Sequence, residues 1–343
     1  MAKVNLCTLF NSAYLSRGLT LYKSLLETNS DFHLYVFAFD DLAYDYLKQK
    51  KFEHLTVVSL NEFEDEQLLA IKSTRTAGEY CWTCTPSTIR YCIDKFSLDS
   101  CTYIDADMYF YADPEILIDE MGSKSVLITE HRYTKQYDQS DTSGIYCVQF
   151  VTFKNNTVGL KVLNWWRNAC IEWCYARNED GKFGDQKYLD DWTTRFEGVH
   201  VLKNLGGGLA PWNVQQYKFK LQNGKLTGVN IATGEKFNPL FYHFHDLKLF
   251  SNKSVQLTGI IYNLSADVKN LFYQPYIKKL FESKSSMHLK AGNINWYALD
   301  EKPPQHLLPK LFMKIIKHNL KAIYSNLRYK RNIPFQYFNF QKM

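Results

Sequence analysis

Two aspartates lie one residue apart where an apolar stretch of the chain ends. Asp105 and Asp107 follow residues 102–104, a short run typical of a buried strand. Two carboxylates held this close repel each other unless a cation lies between them. A hard divalent ion such as Mg²⁺ or Mn²⁺ takes oxygen ligands and would bind a carboxylate together with the oxygens of a diphosphate. The pair therefore predicts a metal site; the alternative is a solvated loop, because acidic residues are common in turns.

Other residues could contact a substrate. Asp185 lies in a polar loop, where its carboxylate would either cap the next helix or contact a ligand. Trp212 follows a run of three glycines at 206–208 that lacks the Lys-Ser/Thr of a phosphate-binding loop. Its indole offers an apolar face to a sugar ring, and the alternative is a buried core tryptophan. Arg90 is expected near phosphate or ribose, or else solvated on an amphipathic helix.

Strand and helix patterns alternate along the first part of the chain and indicate a parallel, doubly wound sheet. In such sheets ligands bind at the carboxyl edge of the strands, where the aspartate pair would lie. The region from residue 252 onward is predicted to be a helical addition. The predicted strands are 4–10, 33–39, 55–60, 102–104, 125–129 and 146–153, and the predicted helices are 15–27, 86–96, 158–175 and 187–192.

The surroundings of the aspartate pair resemble a known enzyme family. Residues 103–110 read Tyr-Ile-Asp-Ala-Asp-Met-Tyr-Phe and are followed by Asp113-Pro114. This pattern is similar to that of the GT-A nucleotide-diphospho-sugar transferases, especially the glycogenin-like and lipopolysaccharide-galactosyltransferase-like members of glycosyltransferase family 8. The resemblance implies an α/β, Rossmann-like GT-A fold with a mostly parallel central sheet flanked by helices.

Further segments extend the resemblance to about residues 4–250. Residues 11–26 resemble the family's first loop and helix, and residues 79–91 the segment before its metal-binding strand. Gly184-Asp185-Gln186 resembles its Asp-Gln motif, and Trp212-Asn213 its Trp-Asn or Tyr-Asn pair. Residues 241–248 resemble its His-aromatic-x-Gly motif with a lysine a few residues on.

The resemblance implies roles for particular residues. Asp105, Asp107 and His243 would bind Mn²⁺ or Mg²⁺, with the imidazole as third ligand. Asp185 and Gln186 would be catalytic: they would stabilise an oxocarbenium-like state in a retaining enzyme, whereas Asp185 would be the base in an inverting one. Together with the candidates proposed from residue type, the residues expected to contact the substrate are Asn11, Arg90, Trp212, Asn213, His245 and Lys248.

His245 and Lys248 both lie in the last of these segments, residues 241–248. We expect the ring of His245 to face away from His243 and to contact phosphate rather than the metal. Lys248 would meet the diphosphate as a point charge. This sequence departs from the family here, because Asp246 replaces the usual glycine and Lys248 lies one residue early.

Composition and charge narrow the protein class. The 343 residues are 45% hydrophobic and 22% charged, which is typical of a folded globular chain. The start lacks the pattern of a secretory signal, and eight cysteines without a regular framework favour reduced thiols, so we expect a cytoplasmic protein. The chain after residue 310 is basic and contains no acidic residue. Apolar residues interleave there at helical spacing, which favours peripheral contact with an anionic membrane over nucleic acid; a helix packed on the domain is the alternative.

These observations predict a GT-A domain over residues 1–250 and a helical addition with a basic amphipathic tail over 251–343. The expected activity is metal-dependent transfer of a hexose from a nucleotide diphosphate sugar to a glycan or lipid-linked acceptor, and the family resemblance favours retention. A UDP-sugar is the favoured donor, and cell-surface polysaccharide assembly the favoured setting. The alternatives are an inverting transferase and a non-catalytic nucleotide-sugar or glycan-binding protein on the same fold.

Overall fold

The computed structural model describes residues 4–250, 254–286, 299–300 and 307–342. The first eight strands are β1 (Val4–Phe10), β2 (Phe32–Ala38), β3 (Leu55–Ser59), β4 (Ser100–Ile104), β5 (Met108–Phe110), β6 (Val126–Glu130), β7 (Tyr146–Lys154) and β8 (Val199–Val201). Seven of them form the central sheet of the described chain, in the order β3-β2-β1-β4-β7-β6-β8. β7 is antiparallel to β4 and β6, and the other neighbouring pairs are parallel.

Helices cover both faces of the central sheet. They are α1 (Leu15–Glu27), α2 (Asp41–Lys50), α3 (Leu60–Phe63), α4 (Glu66–Lys72), α5 (Ala77–Phe96), α6 (Glu115–Asp119), α7 (Ser140–Ser143), α8 (Thr157–Glu172) and α9 (Trp192–Arg195). In β2, Leu34 and Val36 pack in one core with α1, while Tyr35 and Phe37 pack in the other with α5. Because both faces are buried, the strands read as nearly continuous apolar runs.

Helix α5 begins nine residues before the predicted start at Pro86. Thr76 and Glu79 form a capping box: the Glu79 amide donates to the Thr76 hydroxyl and the Thr76 amide to the Glu79 carboxylate, at 3.4 and 2.8 Å. The proline was interpreted as the first helical residue, which was wrong, because it lies in the helix interior. The capping box satisfies two N–H groups at the helix start and fixes the boundary there.

The remaining elements extend the domain beyond the central sheet. They are β9 (Tyr217–Gln222), β10 (Lys225–Asn230), β11 (Lys236–Phe237), β12 (Phe241–His243), β13 (Lys248–Phe250), β14 (Ser254–Gln256), β15 (Leu299–Asp300), β16 (Phe340–Lys342), α10 (Ala266–Val268), α11 (Gln274–Ser286) and α12 (Leu307–Tyr329). β12 pairs with β5, β9–β11 form a small antiparallel sheet, and β13–β16 form a four-stranded one. Helix α11 packs against α1, with the Thr20 and Ser283 hydroxyls 3.1 Å apart.

The predicted α/β class, with a mostly parallel sheet between helices, is confirmed. The C-terminal region has the helices α10 to α12, and it also has a sheet that sequence analysis missed. The strands of that sheet are two or three residues long, and Gln256 of β14 pairs with the distant Phe340 of β16. A domain boundary at residue 250 stays a prediction, and β13 and β14 pair across it. Among the described residues no helix is long and apolar enough to cross a membrane.

The start of α8 provides a test of this packing. A Cβ on Gly159 would lie 2.2 Å from the backbone oxygen of Lys154, whereas a Cβ on Gly78, near the start of α5, would meet nothing within 4 Å. We predict that Gly159→Ala lowers the free energy of unfolding by about 1–3 kcal/mol, because the backbone has to shift. Gly78→Ala is the matched control and should raise it by about 0.5–1 kcal/mol. Urea denaturation measures both, and equal effects would contradict the packing of α8 against β7.

Candidate functional site

The aspartate pair lies at the carboxyl edge of β4, next to β1, where the strand order of the sheet reverses. The backbone amide of Asp105 donates to the Gln149 carbonyl at 3.2 Å, and that of Met108 donates to the Asp105 carbonyl at 3.4 Å. This tight turn lies between β4 and β5 and carries both acids. The side chain of Asp105 is 29% exposed and that of Asp107 is 15% exposed. Both are therefore partly accessible from the crevice, or cleft, at the carboxyl edge of the sheet.

His243 lies beside the two carboxylates because β12 pairs with β5. In that ladder His243 is opposite Met108, the residue after Asp107. Its Nε2 is 3.1 Å from Asp107 Oδ1 and 3.7 Å from Asp105 Oδ2. Each of the three residues offers one ligand atom, and these atoms all lie within 4.8 Å of one another. The structure thus brings together the three residues that were expected to bind a metal.

The donor set fits the implied metal. Two carboxylate oxygens and one imidazole nitrogen suit Mn²⁺, and the carboxylates also suit Mg²⁺, which usually keeps several water or phosphate ligands. The arrangement leaves the carboxylates partly open toward the cleft, so phosphate oxygens can complete the coordination. Asp105, Asp107 and His243 are therefore the residues that would hold the ion.

The electrostatics of the site favour a positive charge among these three side chains. Burial would raise the pKa of Asp107, but the charge and hydrogen bond of His243 lower it to about 2. Burial raises the pKa of Asp105; attraction to His243 opposes this rise, and repulsion by Asp107 adds to it. Burial would lower the pKa of His243, but Asp107 raises it well above its usual value. A bound cation would take over the role of that proton.

Gln149 is a site residue that sequence analysis missed. It lies on β7, is fully buried, and accepts a hydrogen bond from Nδ1 of His243 at 2.7 Å. Its Nε2 has no partner within the described part of the chain. An unsatisfied buried donor costs about 1–3 kcal/mol. A signal was available, because Gln149 is the one side-chain amide in the apolar run 146–153.

Trp212 is packed among three histidine rings. Its ring centroid lies 5.2 Å from that of His131 and 5.5 Å from those of His243 and His245. The indole is buried, and its Nε1 donates to the His131 carbonyl at 2.9 Å. Trp212 thus packs against the His243 ring, and its stacking on a sugar stays a prediction. The position of Trp212 agrees with the alternative, that of a buried core tryptophan.

His245 does not face away from His243, so that expectation was wrong. The two ring centroids are 5.7 Å apart, and both rings contact Trp212. Residues two positions apart in an extended segment point to the same side. Desolvation lowers the pKa of His245, and the charge of His243 lowers it further. The ring is exposed to solvent in the cleft, where it is available to a ligand.

Asn213 fixes the glycine-rich loop. Its Nδ2 donates to the carbonyls of His131 and Gly208, at 2.8 and 2.7 Å, and its Oδ1 accepts from the Ala210 amide at 3.0 Å. Gly208 has φ +92°, a conformation that other residues rarely adopt. The Asn213 side chain therefore holds the loop that leads to Trp212. A direct contact with substrate stays a prediction for Asn213.

Asp185 is buried and lies close enough to Asp105 to feel its charge. Burial raises its pKa to about 8, and the nearby charge of Asp105 contributes to the rise. Its backbone carbonyl accepts from Trp166 Nε1 at 2.9 Å, while Gln186 Nε2 donates to the Ser143 carbonyl at 2.6 Å. The N-cap position of the short 3₁₀ helix that follows is Gln186, which makes no side-chain cap bond. The Asp185 carboxyl is hydrogen-bonded to the Thr85 hydroxyl and to the backbone amides of Asp185 and Gln186, so its role as a cap of this helix and its contact with a ligand both stay predictions.

Asn11 and Lys248 are the last two residues that were expected to contact the substrate. Asn11 directly follows β1, at the carboxyl edge of the sheet. Lys248 Nζ lies 3.6 Å from Asp246 Oδ1. Asp246 has φ +59°, so it adopts the left-handed conformation that glycine takes most easily. The substitution of the family's glycine thus places an acid beside the lysine that was expected to bind phosphate.

Arg90 is not brought together with these groups. It is partly exposed and lies beside α8: its Nε is 2.6 Å from Asp94 Oδ2, and its Nη1 donates to Asn164 Oδ1 of α8 at 2.8 Å. It lines a surface groove of about 710 Å³ whose walls contain none of the other predicted site residues. The position of Arg90 thus does not support a contact with phosphate or ribose. It supports the alternative, a partly solvated side chain on an amphipathic helix.

Comparison with known proteins identifies relatives of this chain. No model of a protein family matches the sequence. The chain is 32% identical over 284 residues to the uncharacterized protein YfnD of Bacillus subtilis (strain 168). This alignment covers 82% of this chain and 89% of YfnD. It is 30% identical over 258 residues to the uncharacterized protein YfnF of the same organism. That alignment covers 73% of this chain and 84% of YfnF.

A solved structure shares the fold. The galactosyltransferase LgtC, in complex with donor and acceptor sugar analogs, superimposes with a TM-score of 0.51 and 10% sequence identity. The match covers 85% of this chain and 99% of that one. The fold is therefore the GT-A fold that the aspartate motif predicted. By its identity to YfnD and YfnF over most of their length, the chain belongs to the family of these two Bacillus subtilis proteins.

Proposed function

We propose that this protein is a metal-dependent glycosyltransferase that moves a hexose from a nucleotide diphosphate sugar, with a UDP-sugar as the favoured donor. The observation that carries the proposal is the group Asp105, Asp107 and His243, with ligand atoms within 4.8 Å of one another at the carboxyl edge of a GT-A sheet. Ligands of open α/β sheets bind at this edge. The LgtC structure contains donor and acceptor sugar analogs, which supports the same pair of substrates here.

Each side chain of the site has a role in this proposal. Asp105, Asp107 and His243 hold the ion. When bound, Mn²⁺ or Mg²⁺ supplies positive charge that stabilises the leaving nucleotide diphosphate. Asn11 lies where the nucleotide base would approach, and Lys248 and His245 face the phosphates. The acceptor is a glycan or a lipid-linked saccharide, which fits an enzyme of cell-surface polysaccharide assembly.

Asp185 and Gln186 are proposed to face the anomeric carbon. The charge of Asp105 reaches Asp185, which places the two carboxylates in one electrostatic environment. In a retaining reaction Asp185 and Gln186 position the sugar and stabilise an oxocarbenium-like state. In an inverting reaction Asp185 removes the acceptor proton. Retention is favoured by resemblance to the family, and proton NMR of the fresh product distinguishes the two outcomes.

Contact with an anionic membrane surface is a second part of the proposal. Helix α12 buries Ile315 and Ala322 but exposes an apolar stripe that includes Leu320 and Leu327, which are 61% and 80% exposed. Exposed basic residues lie along the same helix and just after it: Lys310, Lys314, Lys317, Lys321, Arg328, Lys330 and Arg331. A surface that combines apolar and basic side chains fits anionic lipid headgroups, and each such charge contributes about 1 kcal/mol.

We predict that Asp107→Asn abolishes sugar transfer and metal-dependent nucleotide binding while the protein stays folded. The loss should exceed the about 10–100-fold that removal of an outer-shell partner of a metal costs. Asp105→Asn should weaken nucleotide binding as well. Calorimetric titration with UDP and Mn²⁺, together with transfer assays over UDP-, GDP- and dTDP-sugars, measures these effects.

The matched control is Asp94→Asn, which removes a carboxylate from the exposed pair with Arg90. Asp94→Asn should leave the metal affinity, the nucleotide affinity and the rate of sugar transfer unchanged. Transfer at the normal rate by Asp107→Asn would contradict the metal assignment. Metal-dependent nucleotide binding without transfer or hydrolysis of any donor sugar would instead indicate a binding protein.

We predict that Asp246→Gly binds nucleotide diphosphate about 2–10-fold more tightly, because it removes a negative charge beside Lys248 and the phosphates. Apparent stability should not fall, since glycine adopts the φ of +59° at this position without strain. Asp246→Asn separates the two causes, because it removes the charge and keeps a side chain. Weaker nucleotide binding by both variants would mean that Asp246 supports the site.

We predict that reversing the charge at Lys314, Lys317 and Lys321 weakens binding to anionic vesicles and leaves transfer to a short soluble acceptor unchanged. Substitution is preferable to truncation, because removal of residues from 311 onward would also delete β16, which pairs with β14. Salt should release the unmodified protein, since surface charges are screened beyond about 10 Å at 0.1 M ionic strength. Equal vesicle binding by both proteins in a flotation assay would argue against the membrane surface.

A further inference from the structure

We propose that Gln149 is a positioning residue that holds the imidazole of His243 with Nε2 directed at the two carboxylates. The inference rests on the proposed metal site and adds a residue that the family motifs do not include. It starts from one contact, the hydrogen bond of 2.7 Å from His243 Nδ1 to Gln149 Oε1. Because both side chains are buried, water cannot replace either partner easily.

The contact decides which nitrogen of His243 faces the cleft. A ring that donates from Nδ1 to a fixed acceptor presents Nε2 on its other side, and Nε2 is the atom 3.1 Å from Asp107 and 3.7 Å from Asp105. A hydrogen bond of this kind fixes the ring orientation and the tautomer of metal-binding histidines. Trp212 restricts the ring further, since its plane is perpendicular to the imidazole at a centroid distance of 5.5 Å.

The surroundings of Gln149 indicate that its role is not to stabilise the fold. It lies on a central strand whose neighbouring residues Val148 and Phe150 are buried and apolar. Its Nε2 has no partner within the described chain, so the side chain satisfies one polar group and leaves another unsatisfied. An apolar side chain of similar size would fill the same space without that cost. The residue is therefore explained by what it does for His243.

The same strand segment also ties the metal-bearing turn to this bond. The backbone carbonyl of Gln149 accepts from the amide of Asp105 at 3.2 Å. One residue thus fixes two of the three proposed ligands, Asp105 through its backbone and His243 through its side chain. A side-chain substitution leaves the backbone contact in place, so it tests the contribution of the His243 bond by itself.

The experiment compares Gln149→Leu, which lacks the acceptor, with Gln149→Glu, which keeps an acceptor oxygen at the same position. Binding of Mn²⁺ is measured from the electron paramagnetic resonance signal of the unbound ion, and the melting temperature is measured without metal. We expect Gln149→Leu to bind Mn²⁺ about 10–100-fold more weakly and Gln149→Glu to restore most of the affinity. The melting temperature of Gln149→Leu should change little, because the variant removes the unsatisfied Gln149 Nε2 and leaves His243 Nδ1–H without an acceptor in its place.

The control is Thr152→Val, which removes a different buried side-chain hydrogen bond of β7, that with Thr102 at 2.8 Å. It should leave the Mn²⁺ affinity unchanged. An unchanged affinity in Gln149→Leu would overturn the inference. An equal loss of affinity in Gln149→Leu and Thr152→Val would also overturn it, because the effect would then come from general loosening of the strand.

A readout that needs neither metal nor turnover separates this inference from the proposed function. The Nδ1 proton of His243 should give a protected nitrogen-coupled proton resonance in the wild type and in Gln149→Glu, and that resonance should be lost in Gln149→Leu. If the resonance and the Mn²⁺ affinities behave as expected but no donor sugar is transferred or hydrolysed, the proposed function fails and the positioning role stands. If the resonance is the same in all three proteins, the positioning role fails whatever the activity.

Discussion

The site is organised around the repulsion between two carboxylates that the fold holds one residue apart. Asp105 and Asp107 are placed by a tight turn between β4 and β5, and neither side chain is fully exposed to water, which would screen their charges. Positive charge is needed between them, and His243 supplies it in the protein alone. The pKa of Asp107 is lowered and that of His243 is raised, because the two charges stabilise each other. A divalent cation stabilises the two carboxylates more than the imidazolium of His243 does, because its two charges interact with both acids at once.

Most of the surrounding structure keeps His243 close to that pair. The pairing of β12 with β5 sets its distance, Gln149 and Trp212 set the orientation of its ring, and Asn213 holds the loop that carries Trp212. The buried Arg17 contributes from α1, where it donates to the Leu247 carbonyl at 2.8 Å and so anchors the chain just after the histidines. A site that depends on sub-ångström placement is thus built from strands and a pinned loop rather than from mobile segments.

The residues that could be predicted from the sequence are those with distinctive chemistry or a family motif. The aspartate pair and His243 are in this group, and so are the strands that are buried on both faces. Gln149 was missed because its function depends on a contact between β7 and β12, which are far apart along the chain. The direction of His245 was missed although strand periodicity already placed it on the side of His243. Arg90 was attributed to the site from its type, whereas in the structure it bonds Asp94 of its own helix and Asn164 of α8.

The most direct test of this account is anomalous diffraction from crystals grown with Mn²⁺ and a nucleoside diphosphate. We predict a manganese peak among the carboxylates of Asp105 and Asp107 and Nε2 of His243, with diphosphate oxygens completing the coordination. A peak at another position, or coordination that leaves His243 Nε2 uninvolved, would contradict it. A nucleotide bound in the cleft without any metal peak, at a Mn²⁺ concentration that supports activity, would contradict it as well.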